Sequence, residues 1–368
     1  MAGELGILGY DFVEWYVGSA RAVAYWHARA LGLPVTAYCG PETGVRDRCS
    51  YLLEKNKIRF LVTSALQPST YGVQGFLQRH GDGVKRWGMR VRDVDALWEH
   101  ALANGGIPVH APHDLEDKDG VVRQAAIQLY DSAEIVFVDR SRYEGLFAPG
   151  FEAPAENTPQ PIADAGLLAV DHIVGNVRTN EMDRWAAYFA EALGFEPFIY
   201  FGPGDISTQY SALLSRVVRS PKGLIKNPIN EPYEGKRKSQ IEEYIEQYHG
   251  TGIQHVAVLV QDIVKAIEVM REAGVQFLSI PDTYYDALAA RPDFGLTENI
   301  DDLRRNKILC DVEGKGYLLQ IFTEPVGDRP TFFFEFIQRR DGASGFGQGN
   351  FQSLFESIEE AQGRRGNL

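Results

Sequence analysis

The chain has 368 residues, 44% hydrophobic and 24% charged, with 37 Lys and Arg against 50 Asp and Glu for a formal net charge of −13. That is enough apolar residue for the cores of about two domains, and it excludes a wholly disordered chain. So acidic a surface excludes nucleic acid as the expected partner, and three cysteines without a CxxC pair exclude a disulfide framework or a thiolate zinc site. A reducing compartment fits that cysteine usage. No apolar run reaches about 18 residues, and Met1-Ala-Gly-Glu-Leu5 carries no basic leader. The expectation is a cytoplasmic protein without a membrane partner.

In chain order, Tyr10-Asp11-Phe12-Val13-Glu14 opens a strand, and the helical pattern after it ends at Ala30-Leu31-Gly32-Leu33. Gly83 to Trp87 opens a second strand, and its helix runs from Asp93-Val94 to Ala103-Asn104-Gly105. Residues 148–166 then hold Pro149, Pro154, Pro159 and Pro161. Four prolines cannot sit in a helix interior or a central strand, so this segment reads as a linker. It divides the chain into an N-terminal domain (1–147), a linker (148–165) and a C-terminal domain (166–368).

Beyond the linker the pattern repeats. Val170-Asp171-His172-Ile173-Val174 opens a strand, and the next helix ends at Ala192-Leu193-Gly194-Phe195. Gly252-Ile253-Gln254-His255-Val256 matches Gly83–Trp87 at a constant offset, and its helix runs from Asp262-Ile263 to Glu272-Ala273-Gly274. Strand-like runs at 198–201, 317–322 and 332–337 fill the spaces between helices. The chain thus reads as four copies of a βαβββ unit. The expected fold class is α+β, with two cupped half-barrel domains, each built from a pair of units, and a C-terminal lid helix.

Equivalent positions of the two halves differ in one respect. His172 falls where the first half has Phe12, and His255 where it has Arg86. Glu335, in Phe333-Phe334-Glu335-Phe336, falls opposite Val136 in the best register. A strand histidine alone is more often a core or edge residue bonded by a neighbour, here Asp171 or Gln254. A Glu among phenylalanines is harder to explain that way, because burying an unpaired carboxylate is costly. Two His and one carboxylate occupy one face of an octahedron and leave open positions, the facial arrangement of non-haem Fe(II) oxygenases. Strand alternation places Phe333 and Ile337 on the face of Glu335, and Ile253 and Ala257 on that of His255. By the same rule Gln254 points away, and Gln320 shares a face with Leu318 and Phe322; if that face is the inner one, a buried amide lies beside the cavity.

The tail contains Gly345-Phe346-Gly347-Gln348-Gly349-Asn350, which lacks the spacing of a nucleotide-binding loop. Asn350 can cap a helix over 351–362. Phe351, Leu354, Phe355 and Ile358 share one face of that helix. The face packs on the core or, hinged at the glycines, closes over a metal cavity.

Several stretches identify a family. DHIVGNV (171–177), SALLSRVV (211–218), NPINEP (227–232), GKRKSQIEEY (235–244), GIQHVAV (252–258), GYLLQIFTEP (316–325), FFFEFIQRR (332–340) and GFGQGNFQSLFESIE (345–359) closely resemble the 4-hydroxyphenylpyruvate dioxygenase family of the vicinal-oxygen-chelate, or glyoxalase-like, superfamily. YCGPETG (38–44) and HGDGV (80–84) resemble it more loosely. The resemblance implies His172, His255 and Glu335 as Fe(II) ligands. It implies Ser215, Asn230, Gln240 and Gln320 as polar catalytic and substrate-pocket residues, and Phe322, Phe333, Phe346 and Phe351 as aromatic lining. Asn350 falls at the pocket rim, and Gln254 matches a site-associated glutamine despite its strand parity. The implied partners are a small aromatic 2-oxoacid and dioxygen. The implied reaction is oxidative decarboxylation with ring hydroxylation and side-chain migration, giving homogentisate in tyrosine catabolism. A homodimer or homotetramer is also implied.

Two other readings remain open at this point. Hydroxymandelate synthases share the fold, iron and substrate but hydroxylate the benzylic carbon. Non-catalytic members of the superfamily keep the cup, lose the metal and sequester a small molecule.

Overall fold

The computed structural model of the chain describes residues 5–202, 204–205, 211–291 and 295–366; residues 1–4, read above for a leader, lie outside them. The first half contains β1 (Ile7–Tyr16), α1 (Ala20–Leu31), β2 (Val35–Cys39), β3 (Arg48–Lys55), β4 (Ile58–Ala65) and α2 (Tyr71–His80). It continues with β5 (Gly83–Val91), α3 (Val94–Ala103), β6 (Pro108–Asp117), β7 (Gly120–Leu129) and β8 (Ala133–Tyr143). The second half runs β9 (Leu167–Asn176), α4 (Met182–Leu193), β10 (Glu196–Phe201), β11 (Ala212–Arg219), β12 (Lys226–Tyr233) and α5 (Gln240–Tyr248). Then come β13 (Gly252–Val260), α6 (Ile263–Glu272), α7 (Asp282–Ala289), α8 (Ile300–Asn306), β14 (Leu309–Glu313), β15 (Gly316–Phe322), β16 (Phe333–Arg340) and α9 (Phe351–Arg365).

The two sheets have the same topology. Their orders are β2-β3-β4-β1-β5-β8-β7-β6 and β10-β11-β12-β9-β13-β16-β15-β14. Each is two βαβββ units joined by the antiparallel pairing of their first strands, β1 with β5 and β9 with β13. The four-unit repeat read from the sequence is therefore the architecture. Gly32 and Gly194 end α1 and α4 in left-handed conformation, φ 70° and 66°, a geometry that favours glycine.

One face of both sheets packs into a shared core. Trp15 and Phe60 of the first half meet Phe332 and Phe334 of the second, with ring centroids 5.6–5.9 Å apart. Tyr130 lies so close to Gly175 that a Cβ there would strike its ring. The other faces form two cups. In the first half the cup is filled by Phe12, Leu52, Val136 and Phe147. No helix of the described residues is long and apolar enough to cross a membrane.

Single-residue bulges interrupt the first strand of each unit in the second half. His172 pairs with Ala257 but Val170 with Val258, so Asp171 is extra on β9. Val174 pairs with His255 but Gly175 with Ile253, so Gln254 is extra on β13. A bulge resets side-chain alternation. Asp171 and His172 consequently both face the cup, as do Gln254 and His255. Ile253, expected beside His255, instead packs in the shared core.

His27 of α1 is buried in the aromatic core between the halves, donating Nδ1–H to the Val23 carbonyl at 2.9 Å. Burial lowers its pKa to about 4, the Val23 bond opposing weakly. The unfolded chain, near 6.5, therefore binds this proton first as pH falls. The contribution is complete above pH 6.5 and is lost toward pH 4, about 3 kcal/mol in all. Urea midpoints at pH 7 and pH 4.5 should fall further for the native chain than for His27→Gln; equal falls remove His27 as a cause.

Candidate metal centre and substrate cavity

The sheet order sets β9, β13 and β16 side by side, and one donor comes from each. Glu335 on β16 lies opposite Ala257 of β13, which in turn pairs with His172 on β9. The corresponding first-half register pairs Gly88 with Val136. Because Gly88 and Ala257 are equivalent, this establishes Val136 as the counterpart of Glu335. Arg86, the counterpart of His255, is engaged by Glu14.

Among the described residues one group of possible metal ligands converges. Donor atoms of His172, His255 and Glu335 all lie within 4.8 Å of one another, and all three residues are buried. Glu335 Oε2 is 3.0 Å from His172 Nε2 and 3.5 Å from His255 Nε2. The other imidazole nitrogens are engaged. Asp171 Oδ2 accepts from His172 Nδ1–H at 2.8 Å, and Gln254 Oε1 from His255 Nδ1–H at 2.9 Å. Both Nε2 atoms are thereby directed at the carboxylate, the tautomer a divalent metal requires. Gln254 thus faces inward, against its strand parity, because it is the bulge residue.

The electrostatics suit a cation. Burial works to raise the pKa of Glu335, but His172 and His255 outweigh it and hold the carboxyl down at about 2. Burial of His172 is outweighed by Glu335 and Asp171, so its pKa is raised; that of His255 is lowered by burial. Asp171 is held well below the usual carboxylate range by Arg339, against its own burial. Two imidazoles and one carboxylate on adjacent strands fit a divalent transition metal with open positions.

Above the triad lies a cavity lined mostly by apolar and aromatic side chains with a few polar groups, the character of a small-molecule site. Ser215, Asn230, Gln240, Gln254, Phe322, Phe333, Phe346 and Phe351 line it. Ser215 and Asn230 pair across β11 and β12. Gln240 opens α5, behind a capping box in which Ser239 Oγ accepts the Glu242 N–H and Glu242 returns the bond. Leu354, Phe355 and Ile358 of α9 cover the cavity, so the apolar helix face is its roof. The sequence reading missed Phe201 and Leu213, which also line it. Their strands alternate correctly, but nothing in the sequence marks that face as inner. Arg216 points away, to Asp183 at 2.9 Å.

Two expected residues are placed differently. Gln320 is on the inner face, as alternation requires, but is fully buried and is not in the cavity wall. The backbone at Gly347 lies against its amide, which has no hydrogen-bond partner among the described residues. Asn350 is not at the rim and does not cap α9 with its side chain. Its Oδ1 accepts from the Tyr284 hydroxyl at 2.7 Å.

The comparisons with known proteins agree with this geometry. Residues 169–294 match the Glyoxalase/Bleomycin resistance protein/Dioxygenase superfamily. The chain is 42% identical to a 4-hydroxyphenylpyruvate dioxygenase of Aspergillus fumigatus, over 98% of this chain and 94% of that protein. It is 40% identical to that of Dictyostelium discoideum, over 98% and 100%. The chain belongs to the 4-hydroxyphenylpyruvate dioxygenase family. Among solved structures, a mutant of 4-hydroxymandelate synthase from Streptomyces coelicolor superposes with a TM-score of 0.85 at 28% identity, covering 97% of this chain and 99% of that one. A Mn(II)-bound glyoxalase from Novosphingobium aromaticivorans shares the fold alone, with a TM-score of 0.52 at 12% identity over 90% and 82%. Members of this dioxygenase family are non-haem Fe(II) enzymes, and the buried His-His-Glu set supplies the ligands such an enzyme needs.

Alanine at His172, His255 or Glu335 should abolish tight divalent-metal binding, measured by Co(II) titration, while far-UV circular dichroism stays native. A folded variant that still binds one equivalent tightly removes that residue from the ligand set.

Proposed function

We propose that the chain binds Fe(II) at His172, His255 and Glu335 and converts 4-hydroxyphenylpyruvate and dioxygen to homogentisate and CO2. The observation that carries this is the convergence of three buried donors beneath a cavity lined by amides and aromatic rings. The functional division proposed is a ligand-free N-terminal domain (1–147), a linker (148–165) and a catalytic C-terminal domain (166–368). Fe(II), when bound, supplies a chelation site for the 2-oxoacid end and the redox chemistry with dioxygen.

The chain's own residues do the rest. Phe333 and Phe346 flank the imidazoles, at 4.7 Å from His255 and 4.9 Å from His172, and exclude water beside the oxoacid. Phe322 and Phe351 complete the aromatic wall for the substrate ring. Ser215, Asn230 and Gln240 are the polar groups proposed to hold the phenol hydroxyl and fix the ring relative to the metal. Gln320 and Asn350 support the loop over the cavity in this arrangement. Residues of α9 roof the substrate and keep out bulk water.

The balance is simple. One dioxygen is consumed, the carboxyl group leaves as CO2, one oxygen atom completes the acetate carboxyl and the other becomes the second ring hydroxyl. Hydroxymandelate is an isomer of homogentisate, formed with the same oxygen uptake and the same CO2 release. Ring against benzylic attack is therefore decided by how the ring is held. Identity near 40% to the dioxygenases, against 28% to the synthase structure, supports ring attack. A homo-oligomeric, cytoplasmic enzyme is the setting proposed, and the buried free thiols Cys39, Cys49 and Cys310 suit a reducing one.

Product analysis by NMR, after reconstitution with Fe(II) and ascorbate in air, should give homogentisate. Hydroxymandelate would move the site of attack, and absence of oxygen uptake by the metal-loaded protein would reject the substrate. Alanine at Ser215, Asn230 or Gln240 should lower kcat/KM by about 3–10-fold each, the worth of one hydrogen bond. Unchanged steady-state constants would clear that residue of a role.

A further inference from the structure

The Asp171 side chain is 8% exposed, and its carboxylate does more than meet His172. It accepts from Arg339 Nε and Nη2 at 2.9 and 2.8 Å. Arg339 also donates Nη1–H to the Gly345 carbonyl at 2.8 Å. Gly345 begins the glycine-rich loop that leads into α9, and the ring of the next residue, Phe346, stands 4.9 Å from His172. One ion pair thus touches both a ligand and the start of the roof.

The first half contains the same assembly without ligands. Asp11 precedes Phe12 as Asp171 precedes His172. Arg140 lies four residues after Val136, as Arg339 lies four after Glu335. Arg140 donates to Asp11 at 2.8 Å and to the Phe147 carbonyl, and Phe147 stands 5.7 Å from Phe12. Phe147 and Phe346 both follow their arginine by seven residues. The pair therefore closes a cup in both halves; in the first Asp11 also accepts from Arg59 Nη1 at 3.0 Å, and in the second Asp171 also accepts from a ligating imidazole.

We propose that the Asp171–Arg339 ion pair is a positioning clasp. It holds His172 in its ligating orientation and ties that orientation to the loop from which the α9 roof begins. The first-half pair, Asp11–Arg140, performs only the closing role. The proposal rests on the metal reading of His172, His255 and Glu335.

The test is Co(II) titration of the metal-free full chain, with amide hydrogen exchange over residues 343–350. Asp171→Ala and Arg339→Ala should weaken Co(II) by about 10–100-fold, the usual effect of removing a ligand's hydrogen-bond partner. They should also change the Co(II) visible spectrum and speed exchange in the loop. Asp171→Asn, which keeps an acceptor for Nδ1–H but loses the ion pair, should fall between them and the native chain; it carries the test if an alanine variant does not fold. Asp11→Ala and Arg140→Ala should lower Tm and leave Co(II) affinity unchanged. Native-like Co(II) affinity in the folded Asp171 and Arg339 variants overturns the clasp. So does equal weakening by the first-half variants, which would make the effect one of general stability. Failure of the native chain to bind Co(II) overturns the metal site itself, and the clasp with it.

Discussion

A carboxylate only 3% exposed, facing two buried imidazoles, is the constraint on which this structure depends. Taking such a charge out of water costs several kcal/mol unless a counter-charge meets it. Among the described residues Glu335 meets no Lys or Arg at hydrogen-bond distance; its partners are His172 and His255. His172 and Glu335 stabilise each other's charged forms, as the raised imidazole and the depressed carboxyl indicate. A divalent cation satisfies all three donors together. Everything around the triad, from strand order to the bulges behind the imidazoles, maintains that convergence.

The duplicated architecture separates what the fold needs from what the chemistry needs. Both halves have the same strand order, the same unit pairing and the same aspartate–arginine closure. Among the described residues the ligand set and the cavity above it belong to the second half. In the other, Phe12 and Phe147 occupy the cup, and Arg86 is neutralised by Glu14. The scaffold is stable with either filling. The ligand-bearing inner face therefore differs at a few positions from one that, in both halves, is closed by the segment after its last strand.

Much of this was legible in the sequence. The repeat positions of His172, His255 and Glu335 and the apolar face of α9 follow from offset and periodicity; the aromatic lining is what the family resemblance, which covers most of the second half, implied. Three features were not. Gln254 was read as outward because alternation assumes an unbroken ladder, and a one-residue bulge has no mark in a single sequence. Gln320 was on the expected face, but the loop at Gly347 covers it, and the path of a loop is a tertiary matter. Asn350 meets Tyr284, a partner 66 positions away whose hydroxyl outcompetes local helix capping. Local patterns find faces; they do not find what crosses above them.

Anomalous diffraction at the iron absorption edge, from crystals of the Fe(II)-loaded protein grown without oxygen, tests the central claim most directly. The account predicts one strong peak per chain, about 2 Å from His172 Nε2, His255 Nε2 and a Glu335 oxygen together. A loaded protein with its peak elsewhere, or with Glu335 still bonded to His172 and no metal between them, would contradict it.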